Sequence, residues 1–150
     1  MRRPIRRALL LIPFLGITAA CGSNDSSTPT GPTTLPTVLT ETFSGTLTKN
    51  AAYTYPFTVS DAGDVTVILV QSLDPANPDN GIPLGVSLGT WSGSACAIVI
   101  AKDSMLPNNV DPTQAQFTGR ATAAGNLCIR VYDVGFVPGS ANYELLVDHY

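Results

Sequence analysis

Three cysteines carry the most reactive chemistry in this 150-residue chain. Cys21 follows the small residues Ala19 and Ala20, which close an apolar stretch running from Ala8 to Ile17 behind four arginines in the first seven positions. That order of charge, apolar run and small residues is the pattern of a cleavable export signal over residues 1–20, and it is too short to span a bilayer, which needs roughly 20 apolar residues. Cys96 and Cys128 offer two chemistries, a disulfide or part of a metal site. A zinc site needs further ligands, and the sequence supplies no suitable spacing. His149 is the sole histidine and sits beside the C-terminus, where it reads as the frayed end of a last strand. Glu41 and Glu144 are the only glutamates, both read as solvent-facing, and no spacing brings a carboxylate pair together for glycoside hydrolysis. No nucleophile–histidine arrangement emerges, and no enzyme is expected.

Two other groups of residues suit binding. Asp74 with Asn77, Asp79 and Asn80, Asp103 with Asn108, Asn109 and Asp111, and Asp61 with Asp64 offer the oxygen ligands of a structural calcium, with no other cofactor expected, although Asp and Asn are also ordinary turn residues. Trp91 lies among Gly89, Thr90, Ser92 and Gly93, either projecting as a contact surface or folding back over one end of a core. Tyr132 and Arg130 share the less apolar parity of their strand, so a ring and a guanidinium point the same way.

The elements that must hold these residues are strands. Thirteen Gly, twelve Pro, abundant Thr and Val and only 13% charged residues argue against a helical bundle. Leu39, Phe43 and Leu47 alternate with threonines, and Tyr53, Tyr55, Phe57 and Val59 alternate with Thr54, Pro56, Thr58 and Ser60. Pro56 marks an edge strand because it cannot donate to a ladder. Val65 to Val70 reads as a central strand, and further strands are expected at 82–88, 95–101, 114–119, 127–134 and 142–148. Eight short strands predict an all-β antiparallel β-sandwich of jelly-roll type over residues 39–150. Residues 21–38 read as a Ser/Thr/Pro/Gly tether that cannot bury enough apolar surface to order itself. Beyond residue 20 four basic residues face eleven acidic ones, which excludes nucleic acid as a natural partner.

Ile17-Thr18-Ala19-Ala20-Cys21 resembles the lipobox of bacterial lipoproteins, with Thr18 where Leu is usual. The resemblance implies acylation of Cys21 and attachment to the lipid bilayer of the bacterial cell envelope, with the outer membrane as the expected address. It also places Cys96 and Cys128 in an oxidising compartment, where a disulfide follows. Leu127, Ile129 and Val131 read as core-facing, so such a bridge would staple a sheet face rather than cross the core.

Phe43-Ser-Gly45-Thr-Leu47, Tyr55-Pro-Phe57-Thr-Val59, Gly63-Asp-Val65-Thr-Val67, Gly125-Asn-Leu127-Cys-Ile129-Arg130-Val131 and Tyr143-Glu-Leu145-Leu-Val147 resemble, in order, the motifs of the bacterial pre-peptidase C-terminal domain. Leu127 stands where that family often has Tyr, and these 150 residues include no peptidase sequence. The resemblance implies a β-sandwich with a noncatalytic role. The expected function is therefore a membrane-anchored binding or envelope-structural module. A calcium-stabilised adhesion or accessory domain recognising protein or polysaccharide comes second, and an enzyme third.

Overall fold

The computed structural model describes residues 36–107 and 116–150. Cys21, the export segment, most of the tether and Asp111 lie outside the described residues.

Nine strands and no helix make up the described chain: β1 (Leu39–Thr48), β2 (Ala52–Val59), β3 (Gly63–Asp74), β4 (Asn77–Gly81), β5 (Leu84–Trp91), β6 (Cys96–Met105), β7 (Phe117–Ala121), β8 (Gly125–Asp133) and β9 (Ser140–His149). All ladders are antiparallel. One sheet has the order β1-β9-β3, with β7 on the first half of β3 and β4 on its far end, and the second runs β2-β8-β5-β6. With β4 set aside, β1-β9-β3-β7 facing β2-β8-β5-β6 is the strand order of a jelly roll. The strand absent from the sequence reading is β4, an exposed Asn-Pro-Asp-Asn-Gly run whose pairing is confined to Leu73 and Asp74. Pro56 does lie in an edge strand, and β3 is indeed flanked on both sides.

Period-two alternation puts one row of each strand into the space between the sheets. Val65, Val67 and Leu69 from β3 and Ala141, Tyr143, Leu145 and Val147 from β9 meet Leu84, Val86 and Leu88 from β5 and Ile129 and Val131 from β8. His149 continues the same inward row of β9. It is buried rather than frayed, with its ring 5.2 Å from that of Phe57 and its Nε2 2.9 Å from Glu41 Oε1. Glu41 is correspondingly half-buried and not solvent-facing, because it shares the inward parity of Phe43 and Leu47.

These side chains belong to a seam of rings that closes the lateral edge between β1 and β2. Phe43 stacks on Tyr55 with centroids 5.1 Å apart and tilts against Phe57 at 6.1 Å. Tyr55 and Tyr143 hydroxyls share a hydrogen bond of 2.5 Å. Gly45, directly opposite Tyr143 in the β1–β9 ladder, makes room for both: a Cβ there would lie 3.0 Å from one hydroxyl and 3.1 Å from the other. Burial, and then the bond to Tyr55, push the Tyr143 phenol well above its ordinary range.

One end of the sandwich is held by Asp133. Its carboxylate accepts the backbone N–H groups of Asn50 at 2.9 Å, Gly135 at 2.7 Å, Phe136 at 3.0 Å and Val137 at 3.1 Å. It thus ties the β1–β2 turn, where Asn50 takes φ 60°, to the β8–β9 connection, where Gly135 takes φ 97°. Burial raises the Asp133 pKa, yet these four donors outweigh it and hold the carboxyl below its usual range. A depressed folded-state pKa contributes stability that is complete above the unfolded value near 3.9 and is lost as pH falls through the folded value. Asp133→Ala is expected to cost about 2 kcal/mol in denaturant unfolding at neutral pH. Asp133→Asn should flatten the loss of stability below about pH 4. Identical acid profiles for wild type and Asp133→Asn would remove this carboxylate from the account.

Candidate functional site

Two surfaces could bind a partner. The first is the outward face of the β2-β8-β5-β6 sheet, which carries every described member of the aromatic and cysteine set singled out from the sequence. On β5 the outward row is Gly85, Ser87, Gly89 and Trp91, and on β8 it is Cys128, Arg130 and Tyr132. Tyr132 lies opposite Gly85, and its ring covers that glycine so closely that any Cβ at position 85 would collide with it. The phenol hydroxyl is hydrogen-bonded to the Asp103 carboxylate on β6, so one side chain spans three strands. Burial first, then the bond to Asp103, push its pKa up to about 12. The Arg130 guanidinium sits 5.7 Å from the ring centroid, a cation–π contact. Trp91 is half-buried at the far end of β5, six residues from Gly85 and therefore roughly 20 Å away at about 3.3 Å per residue. The structure joins Arg130 to Tyr132 and leaves Trp91 apart on the same face.

Between them lies the disulfide. Cys96 and Cys128 are bonded, with Cα atoms 5.9 Å apart. Both strands flank β5, and at about 4.8 Å per strand their backbones would otherwise stand roughly 9.5 Å apart. The start of β6 therefore curls over the outer face of β5, and the Ala97 carbonyl occupies the place where residue 89 would carry a Cβ, which makes glycine obligatory there. Downstream, Gly89 pairs with Ile98 and Leu88 with Ile100, so Val99 is the extra residue of a β-bulge. The bridge staples a sheet face, as the parity of Cys128 implies.

The second surface is the lateral edge opposite the aromatic seam. Here β6 and the short β7 leave a groove of about 570 Å³, floored by Leu88, Ile100 and Leu127. Val99 stands at its margin with 76% of its surface exposed. Arg120 and Asp64 form an ion pair of 3.0 Å on the rim. No motif announces this groove, because its walls come from strands that are distant in sequence.

Two of the aspartates that could ligate calcium have partners of their own. Asp74 accepts the Ala76 N–H at 2.9 Å in its own turn, Asp79 lies exposed in β4, and Asp103 is engaged by Tyr132. Among the described residues no three His, Cys, Asp or Glu side chains gather as a cation site.

No family model matches the chain, and no curated protein matches it, so the resemblance to the pre-peptidase C-terminal domain rests on the strand motifs alone. Among solved structures the chain is similar to an antigen and type I fimbria protein of Burkholderia pseudomallei, with 14% identity over 76% of this chain and 99% of that one and a TM-score of 0.29.

Two variants test the stapled face. Gly89→Ala is expected to destabilise by about 1–3 kcal/mol, because backbone must move to admit one methyl group. The double variant Cys96→Ser, Cys128→Ser should lose ~3.5 kcal/mol if loop entropy is the main contribution. Unfolding midpoints within error of wild type for both would show that β6 keeps its place without either constraint.

Proposed function

We propose that the protein is a noncatalytic module that works outside the cytoplasm, anchored to the bilayer of the bacterial cell envelope, at the outer membrane, through acylated Cys21. The tether of residues 21–38 holds the sandwich clear of the lipid. The observation that carries this reading is the Cys96–Cys128 disulfide, because such bonds persist in oxidising compartments and agree with the arginine-led export signal. The resemblance to a domain that accompanies secreted peptidases points the same way.

The functional surface in this reading is the outer face bearing Trp91, Arg130 and Tyr132, and its partner is an extracellular protein or polysaccharide. Aromatic faces give contact area with little rotamer entropy to lose, and Tyr132 is already fixed by Gly85 and Asp103 before anything binds. The chemistry that could have supported catalysis is spent on packing: His149 is 2% exposed and directs Nε2 at Glu41. Weak single contacts gain strength from many copies on one membrane.

Cys21→Ser should abolish incorporation of labelled fatty acid while leaving the sandwich folded, and equal labelling of the variant would end the lipoprotein assignment. Arrays of glycans and matrix proteins probed with wild type, Trp91→Ala and Arg130→Ala should show binding that weakens in both variants at unchanged melting temperature. Full binding by two stably folded variants would move the site elsewhere.

A further inference from the structure

We propose that the groove at the open lateral edge, between β6 and β7, is a binding site for an anionic amphiphile, a single-chain carboxylate whose tail lies on Leu88, Ile100 and Leu127 and whose head reaches Arg120. This site is separate from the outer sheet face and does not depend on it. Its volume of about 570 Å³ falls within the ~300–1,000 Å³ of small-ligand sites, and its apolar floor with few polar groups has their usual composition. Gly119 on β7 admits Leu88 to the floor of the groove: a Cβ there would collide with the Leu88 side chain.

Charge selects the head group. The described residues hold four Lys and Arg against nine Asp and Glu, yet one of the four cations, Arg120, stands on the rim of this groove. Lys102, two residues beyond Ile100 on β6, ties that strand to the residue before β7 by donating from Nζ to the Gln116 carbonyl at 2.7 Å. Asp64 is the opposing acid. Its pair with Arg120 has side chains 71% and 59% exposed, and such pairs contribute only about 0–1 kcal/mol, so an incoming carboxylate can replace Asp64 at the guanidinium. An extended peptide suits this edge less well. The β6 ladder is broken by the bulge at Val99 and by Ser104 at φ 57°, and β7 has five residues, so an added strand finds no continuous run of backbone partners.

The test uses the full chain carrying Cys21→Ser, so that no acyl group of its own competes, titrated calorimetrically with sodium dodecanoate below its micellar concentration. Dodecanoate should bind, and dodecyltrimethylammonium should bind more weakly. Arg120→Gln should weaken dodecanoate about tenfold, the equivalent of one charge-assisted hydrogen bond. Asp64→Asn should tighten it, and Val99→Asp should abolish it. Val99 and Arg120 are exposed, so unchanged melting curves are expected and confirm that each variant is folded. Absent binding, equal binding of the cationic amphiphile, or dodecanoate affinity that Arg120→Gln and Val99→Asp leave unchanged would each overturn the proposal. So would binding of a Val/Thr-alternating peptide in place of dodecanoate, which would make this edge a strand-pairing surface.

Discussion

Everything in the sandwich depends on keeping the inward parity of β8 and β9. Each is a middle strand, β9 between β1 and β3 and β8 between β2 and β5, and their inward side chains face one another across the core. The β1–β9 register runs without a break from Leu39↔His149 to Thr48↔Ser140. A slip of one residue would turn Tyr143, Leu145 and Val147 out to water and bring Glu144, Leu146 and Asp148 in. At about 1.5–3 kcal/mol for each large apolar side chain, burial of that row fixes the register decisively. The same arrangement makes the fold strongly non-local. The first strand has no partner until the last is present, so closing the sandwich requires long loops to be ordered before contacts offset their entropy. Asp133 shortens that search locally by drawing two chain reversals onto one carboxylate.

The two lateral edges answer the same geometric problem differently. Where β1 faces β2, large rings from both sheets fill the gap, and the buried ends of the seam are polar groups that find partners: Tyr55 with Tyr143, His149 with Glu41. Where β6 faces β7, the lining includes the small residues Thr90, Thr118 and Gly119, and Leu88 packs against Gly119 at the floor. Covering that edge would take bulk that the sequence does not supply. Shape at the open edge follows from side-chain size, and its charged groups are the Arg120–Asp64 pair on the rim.

Most of the architecture was legible because alternation is a local signal. Eight of the nine strands are marked in the sequence by alternation, by an unbroken apolar run at Val65 to Val70, or by regular spacing between turns, and the edge position of Pro56 follows from its missing N–H. β4 was not legible, since Asn77 to Gly81 has the composition of a turn and becomes a strand only by meeting the end of β3. His149 and Glu41 were misread for a different reason. Their parity with Leu145 and Val147, and with Phe43 and Leu47, is in the sequence, but a carboxylate and a chain end ordinarily face water, and the two turn inward here as partners of one another. The groove could not have been found this way, because Leu88, Val99, Gly119 and Leu127 come together only through pairings between sequence-distant strands. Arg130 and Tyr132 were legible as one face of β8, whereas their sharing that face with Trp91 and the clamp of Tyr132 on Gly85 and Asp103 need the register of three strands.

The disulfide belongs with the geometry of the edge as much as with the compartment. β6 is the strand with the weakest claim to its position: it borders a single neighbour, it carries an extra residue at Val99, and Ser104 breaks its second half. Ladder hydrogen bonds alone leave such a strand free to peel from its start, since Ala97, Ile98 and Val99 bury little surface. A covalent bond from Cys96 to the fully buried Cys128 fastens that start to a middle strand, passing over Gly89, which has no side chain in the way. The tight Ser92–Ala95 turn is thereby held, and with it the end of β5 that carries Trp91. Val99 and Ile100, the β6 wall of the groove, follow three and four residues after the anchored cysteine. One bond therefore sets the position of both candidate surfaces, the aromatic face on one side of β5 and the apolar groove on the other.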